Sequence, residues 1–265
     1  MQSNIHIGHP ISYEAAKKLL KGDLATVYRS ILKDCCAPIY WFDRDDPNRR
    51  ILSNGTVTFV QTPDVLIGIT AAHVVNALIA DFAKHNLQVQ IMNAVVDNFS
   101  DKIIDISIKY DLATFRVDEE LVSQLGKPLQ PLLQWPPQPP QEGRGIMLAG
   151  YPGSERNEEG IVVGFGLFTA LVSARTVTDK QITWLVEPEN QIKNTAVLPP
   201  PSKYVMGGIS GGPLITWLES DQHISTYVLG GIIIEHPDYS GNEFTIERVI
   251  AISADLIMNT GRILA

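Results

Sequence analysis

Cysteine is scarce: the chain carries 2 in 265 residues, Cys35 and Cys36, and they are neighbours. Adjacent cysteines close a disulfide only with strain, and two thiols do not fill a four-ligand zinc site, so both are read as free and structural. That usage fits a reducing compartment. Long apolar runs are missing too, none reaching the roughly 18 residues of a membrane helix. The start, Met1-Gln2-Ser3-Asn4-Ile5-His6, lacks the basic then apolar pattern of a secretory signal. A cytoplasmic protein without membrane contact is expected. Positive charge is in deficit: 21 Lys and Arg face 29 Asp and Glu, a net -8, so nothing grips a phosphate backbone and no nucleic-acid partner is expected. The acceptor patterns Asn54-Gly55-Thr56 and Asn98-Phe99-Ser100 are read as chance glycosylation matches, the Asn-Gly pair having a turn reading of its own.

What is present is a globular composition, 45% hydrophobic and 19% charged, able to bury a full core. From Ser12 to Lys33, apolar residues recur every three or four positions, which predicts one or two amphipathic helices broken at Gly22-Asp23, with Asp23 as a cap. Residues 1–45 are taken as an N-terminal helical extension that packs on the main domain or docks a regulatory partner. After Lys33 the texture becomes all-β. Short runs such as Thr56–Val60, Val65–Thr70 and Ile104–Tyr110 are rich in Val, Ile, Thr and aromatics and are separated by turn residues. Further strands are expected within 145–148, 160–172, 182–186, 227–234 and 244–252. Six prolines between Gly126 and Gly143 mark residues 126–142 as a surface linker, dividing the β region into 46–125 and 143–265. Ser253 is expected to cap a short C-terminal helix through Asn259, with Gly261 at its end.

Gly208-Ile209-Ser210-Gly211-Gly212-Pro213 carries the most chemistry. Glycines around one serine let the backbone turn sharply, and acyl transfer needs a nucleophile beside N–H groups aimed at an oxyanion, here those of Gly208 and Ser210. A serine needs a base. His73, in Thr70-Ala71-Ala72-His73 after an apolar strand, is the candidate, on a strand leading into a short helical turn. The carboxylate that orients it is Asp111, in Asp111-Leu112-Ala113; Asp105 competes but sits in an alternating run where it is expected to be solvated.

In order and motif, His73, Asp111 and Ser210, separated by 38 and 99 residues, resemble the trypsin-like (chymotrypsin-fold) serine peptidases of the bacterial type without disulfides. Asn54–Phe59, Gly150–Gly153 and Ala251–Ile257 extend the likeness, which covers about residues 50–265. The resemblance implies two six-stranded antiparallel barrels with the triad between them and a short C-terminal helix. It implies a serine endopeptidase acting on protein or peptide substrates, with no cofactor and no metal. Ile209 stands where activation-dependent members carry an aspartate, so switching by N-terminal cleavage is not expected. Tyr204, Val205 and Met206 resemble the base of the specificity pocket and hold no carboxylate, pointing to an apolar residue before the scissile bond. Ile234, on the strand resembling the substrate-pairing edge, leads into Glu235, whose entry into the pocket is the alternative. The competing functional readings are a catalytically silent fold that binds peptides and an esterase on the same three residues.

Overall fold

The computed structural model describes residues 18, 23–48, 50–128, 133–159, 162–185, 206–218, 226–235 and 248–265. Helix α1 (Asp23–Cys35) leads directly into strand β1 (Cys36–Asp43), so the first sheet begins well before the boundary expected at residue 46. β1 is buried on both faces, which is why Cys-Ala-Pro-Ile-Tyr-Trp-Phe shows no alternation. It is followed by β2 (Ile51–Gln61), β3 (Leu66–Ala71), helix α2 (Ala72–Phe82), β4 (Leu87–Ile91) and β5 (Ala94–Val95). A single turn, α3 (Phe99–Lys102), then β6 (Ile103–Ser107), β7 (Leu112–Arg116) and α4 (Glu119–Gln124) complete the first half. These strands form one antiparallel sheet in the order β5-β4-β1-β2-β3-β7-β6.

The second half contains β8 (Gly145–Gly150), a two-stranded ribbon of β9 (Arg156–Glu159) and β10 (Val162–Phe165), then β11 (Phe168–Ser173), β12 (Thr176–Val177) and β13 (Gln181–Leu185). β14 (Pro213–Leu218), β15 (Thr226–Glu235) and β16 (Arg248–Ser253) follow. Here the antiparallel order is β11-β8-β14-β15-β16-β13-β12. Each sheet has seven strands among the described residues rather than the expected six, and in each one strand is only two residues long. The proline-rich connection runs along β15, where the Gln134 and Gln138 N–H groups donate to the Tyr227 and Leu229 carbonyls.

One apolar cluster joins the two halves. Ile31, Leu32 and Cys35 of α1 meet Ile67 and Ile69 of β3, Met147 and Ala149 of β8, and Ile232 of β15. Lys127, almost fully buried, donates its ammonium to the carbonyls of Lys33 and Cys36, placing a cation on the open end of α1. Both cysteines are free and fully buried, and burial pushes the Cys36 thiol up to about 12 and the Cys35 thiol upward as well.

The C-terminal helix expected through Asn259 is not formed. After Ser253 there is one 3-10 turn, Ala254–Leu256, and Gly261 at φ 81° reverses the chain so that Ile257 pairs with Ile263. The Ser253 hydroxyl caps nothing and is buried without a partner among the described residues. None of the described helices is long and apolar enough to cross a membrane.

Candidate active site

β3 delivers the chain to α2 with His73 as the helix's second residue, and α2 runs for 11 residues rather than the short turn expected. Its own N-cap, Ala71, has no side-chain cap. Asp111, 38 positions away, supplies it: Oδ1 accepts from the His73 N–H at 2.8 Å, and the Asp111 carbonyl accepts from the Ala72 N–H at 3.0 Å. A carboxylate there also meets the positive end of the helix dipole. The other oxygen, Oδ2, lies 2.7 Å from His73 Nδ1. A carboxylate only accepts, so Nδ1 carries the proton that lies between them, and in the neutral imidazole Nε2 is then the nitrogen with the lone pair. His73 keeps half of its side chain exposed, at 52%, against 29% for Asp111. Asp111 takes φ 52°, a left-handed conformation that Asp tolerates better than most residues and that the hydrogen bonds on both sides of its α-carbon hold.

Asp105, expected in solvent, is instead half-buried and used structurally. Its oxygens accept from the N–H groups of Ile106 and Ile263, at 2.8 and 2.9 Å.

Ser210 sits on a loop whose backbone carbonyls are all engaged. The carbonyls of Gly207 to Gly212 accept, in turn, from Gly153 N–H, Thr56 Oγ1, Gly212 N–H, Thr56 N–H, Thr58 Oγ1 and Ile233 N–H. The N–H groups of Ile209, Gly211 and Gly212 are likewise engaged, with the Met206, Ile233 and Ile209 carbonyls. Those of Gly207, Gly208 and Ser210 meet no acceptor among the described residues. In a trans peptide, N–H points opposite to the preceding C=O. Pinning Gly207 C=O on Gly153 at 2.6 Å and Ile209 C=O on Gly212 at 2.8 Å therefore turns the Gly208 and Ser210 N–H groups away from those anchors.

Two glycines are required by geometry. Gly211, at φ 94°, would put a β-carbon 1.9 Å from the Thr56 carbonyl oxygen and 2.9 Å from Thr70 Cα; Gly208, at φ 100°, would put one 2.3 Å from Asn54 Nδ2. Gly211 thus lies against Thr70, three residues ahead of His73. Thr70 Oγ1 in turn donates to the Thr56 carbonyl at 2.7 Å, so the serine loop and the histidine strand share Thr56.

The Ser210 hydroxyl faces the Ile234 carbonyl at 3.4 Å and makes no hydrogen bond to His73 in this conformation. Ser210 is itself buried at 3% exposure. Of the residues expected to form a specificity pocket, Met206 is buried in the second half's core with Ile209 and Leu214 and offers no exposed side chain. Ile234 is half-buried near the end of β15, and Glu235 closes that strand. Tyr204 and Val205 lie outside the described residues.

Sequence reasoning missed the polar face of β2. Asn54, Thr56 and Thr58 alternate along the strand and so share a face. All three bond across to the second half, Asn54 Nδ2 reaching the Tyr151 carbonyl at 3.1 Å. Their spacing by two in a strand otherwise built for burial was the available signal. Tyr151, whose hydroxyl burial pushes up, anchors the loop that leads to Gly153.

No family model matches the chain, and no curated protein matches it in sequence.

Proposed function

We propose that the chain is a serine endopeptidase and that its two sheets are the two barrels of a chymotrypsin-like fold. The observation that carries this reading is the pairing of a carboxylate-oriented His73 with a serine loop bonded to the same threonines, the loop leaving its Gly208 and Ser210 N–H groups open. Ser210 Oγ attacks the scissile carbonyl while His73 Nε2 takes its proton and returns it to the leaving amine. Asp111 fixes the tautomer and stabilises the imidazolium, and the two open N–H groups receive the oxyanion. Rotation of the Ser210 side chain away from Ile234 is needed first; such bonds are often unformed before substrate enters.

Ile209 supports a hole that needs no chain cleavage. Its side chain is buried against Gly150, where activation-dependent relatives of the proposed family would place an aspartate. With Met206 buried and no carboxylate among Tyr204, Val205 and Met206, an apolar residue before the scissile bond is the favoured substrate feature.

A fluorophosphonate probe should label the intact chain on Ser210, which mass spectrometry of the digested adduct would locate. Labelling should vanish in Ser210→Ala and fall by about 10^4-fold or more in His73→Ala. An unlabelled, folded wild-type protein would defeat the proposal. That outcome would favour the second reading, a silent peptide-binding fold, for which the Ser210 hydroxyl's orientation toward Ile234 speaks.

A further inference from the structure

We propose that the seam between the turn after β6 and the turn before β13 is an anion-binding site that takes a phosphate monoester. The chain is acidic overall, yet here two lysines from opposite halves converge on one tyrosine. Lys109 Nζ lies 4.8 Å and Lys180 Nζ 5.7 Å from the centre of the Tyr110 ring. Neither ammonium forms an ion pair among the described residues. Around them lies a concavity of about 340 Å³, lined by Lys109, Tyr110, Thr178, Lys180, Gln181 and Ile252, within the size range of ligand sites.

The platform is rigid. The Tyr110 ring is packed in the core cluster that joins the two halves. The Lys180 carbonyl accepts from the Ser253 N–H at 2.8 Å, and Thr178 Oγ1 accepts from the N–H groups of Lys180 and Gln181. The end of each lysine meets Tyr110. The Tyr110 hydroxyl registers the local potential: hydrogen bonding to Lys109, then the charges of Lys109 and Lys180, hold it below the usual tyrosine value. Negative charge is therefore favoured where that oxygen sits.

The charge count selects the ligand. Two ammoniums match a phosphate dianion, whereas a carboxylate satisfies one and leaves the other unpaired. Three non-ester oxygens also suit three donors, the two Nζ groups and the Tyr110 hydroxyl. The concavity is larger than a bare phosphate fills, which leaves space over Ile252 for the organic group of an ester. The site is independent of the peptidase reading, although Tyr110 directly precedes Asp111.

Titration of the full chain with inorganic phosphate, then with phenyl phosphate, at constant ionic strength set by chloride would test this, following the amide NMR signals of Tyr110 and Gln181. We expect saturable shifts for both probes, with phenyl phosphate at least as tight, and no saturation by acetate. Lys109→Gln and Lys180→Gln should each raise the dissociation constant about tenfold, the size expected of one charge-assisted hydrogen bond. Both lysines are exposed, so thermal melts should match wild type, and Ser210→Ala should bind phosphate unchanged. Shifts that grow linearly with phosphate, that acetate reproduces, or that persist in the double lysine variant would overturn the proposal.

Discussion

Gly211 has no room for a side chain and no conformation for one. A β-carbon would strike the Thr56 carbonyl, and φ 94° is itself costly for any other residue by about 1–2 kcal/mol. Gly211→Ala is thus expected to destabilise the fold by more than about 3 kcal/mol, read from the urea midpoint. Asn54 acts more gently. Its amide holds the Tyr151 carbonyl, and two residues further on Gly153 grips the Gly207 carbonyl, which orients the Gly208 N–H. Asn54→Ala should slow phosphonylation of Ser210 by the fluorophosphonate, with loss of fluoride, about tenfold or more while leaving the melting temperature within a few degrees. Restored phosphonylation in Asn54→Gln would fit a positioning role; an unchanged phosphonylation rate in Asn54→Ala would refute it.

At the level of elements, helix ends are held by residues remote in sequence in two cases and by a neighbour in one. α2 is capped by Asp111 and α1 by Lys127, whereas α4 is capped by Asp118, whose carboxylate accepts from Leu121 N–H at 2.8 Å. That bond, followed by Lys102, lowers the Asp118 carboxyl below its usual value. Its contribution is present above the unfolded carboxyl's pKa and lost as pH falls through the depressed folded value. Asp118→Ala should cost about 1 kcal/mol at neutral pH, and the gap between the two melting curves should close on acidification.

The same contrast explains what the sequence made legible. Runs rich in β-branched residues located β3 and β13 to within a residue and the C-terminal half of β2, whose first five residues went unseen, and the turn glycines around Ser210 marked the loop. The full length of α2 was hidden because its cap lies 38 residues downstream. β1 was hidden because burial on both faces erases alternation. A helix was expected after Ser253 from a capping residue that instead faces the core. The His73–Asp111 pair was legible from residue types and order, but the threonines that join it to the serine loop were not, since a strand threonine reads first as a β-former.

For the molecule as a whole, the N-terminal segment is partly foundation rather than extension. β1 pairs with both β2 and β4, and α1 fills the apolar seam between halves. A chain beginning at Arg49 should therefore be largely unfolded, with a collapsed near-ultraviolet circular dichroism signal rather than altered regulation. A native-like spectrum from that shortened chain would contradict this account.

Thr56 gives the molecule a different kind of liability. Through its N–H, carbonyl and hydroxyl it is tied to Ser210, Thr70 and Gly208, and the hydroxyl also receives the Tyr151 N–H. The ties to Ser210, Gly208 and Tyr151 cross between the halves, so a hinge motion there strains all three together. The junction should accordingly behave as a latch, staying rigid under mild stress and then failing abruptly.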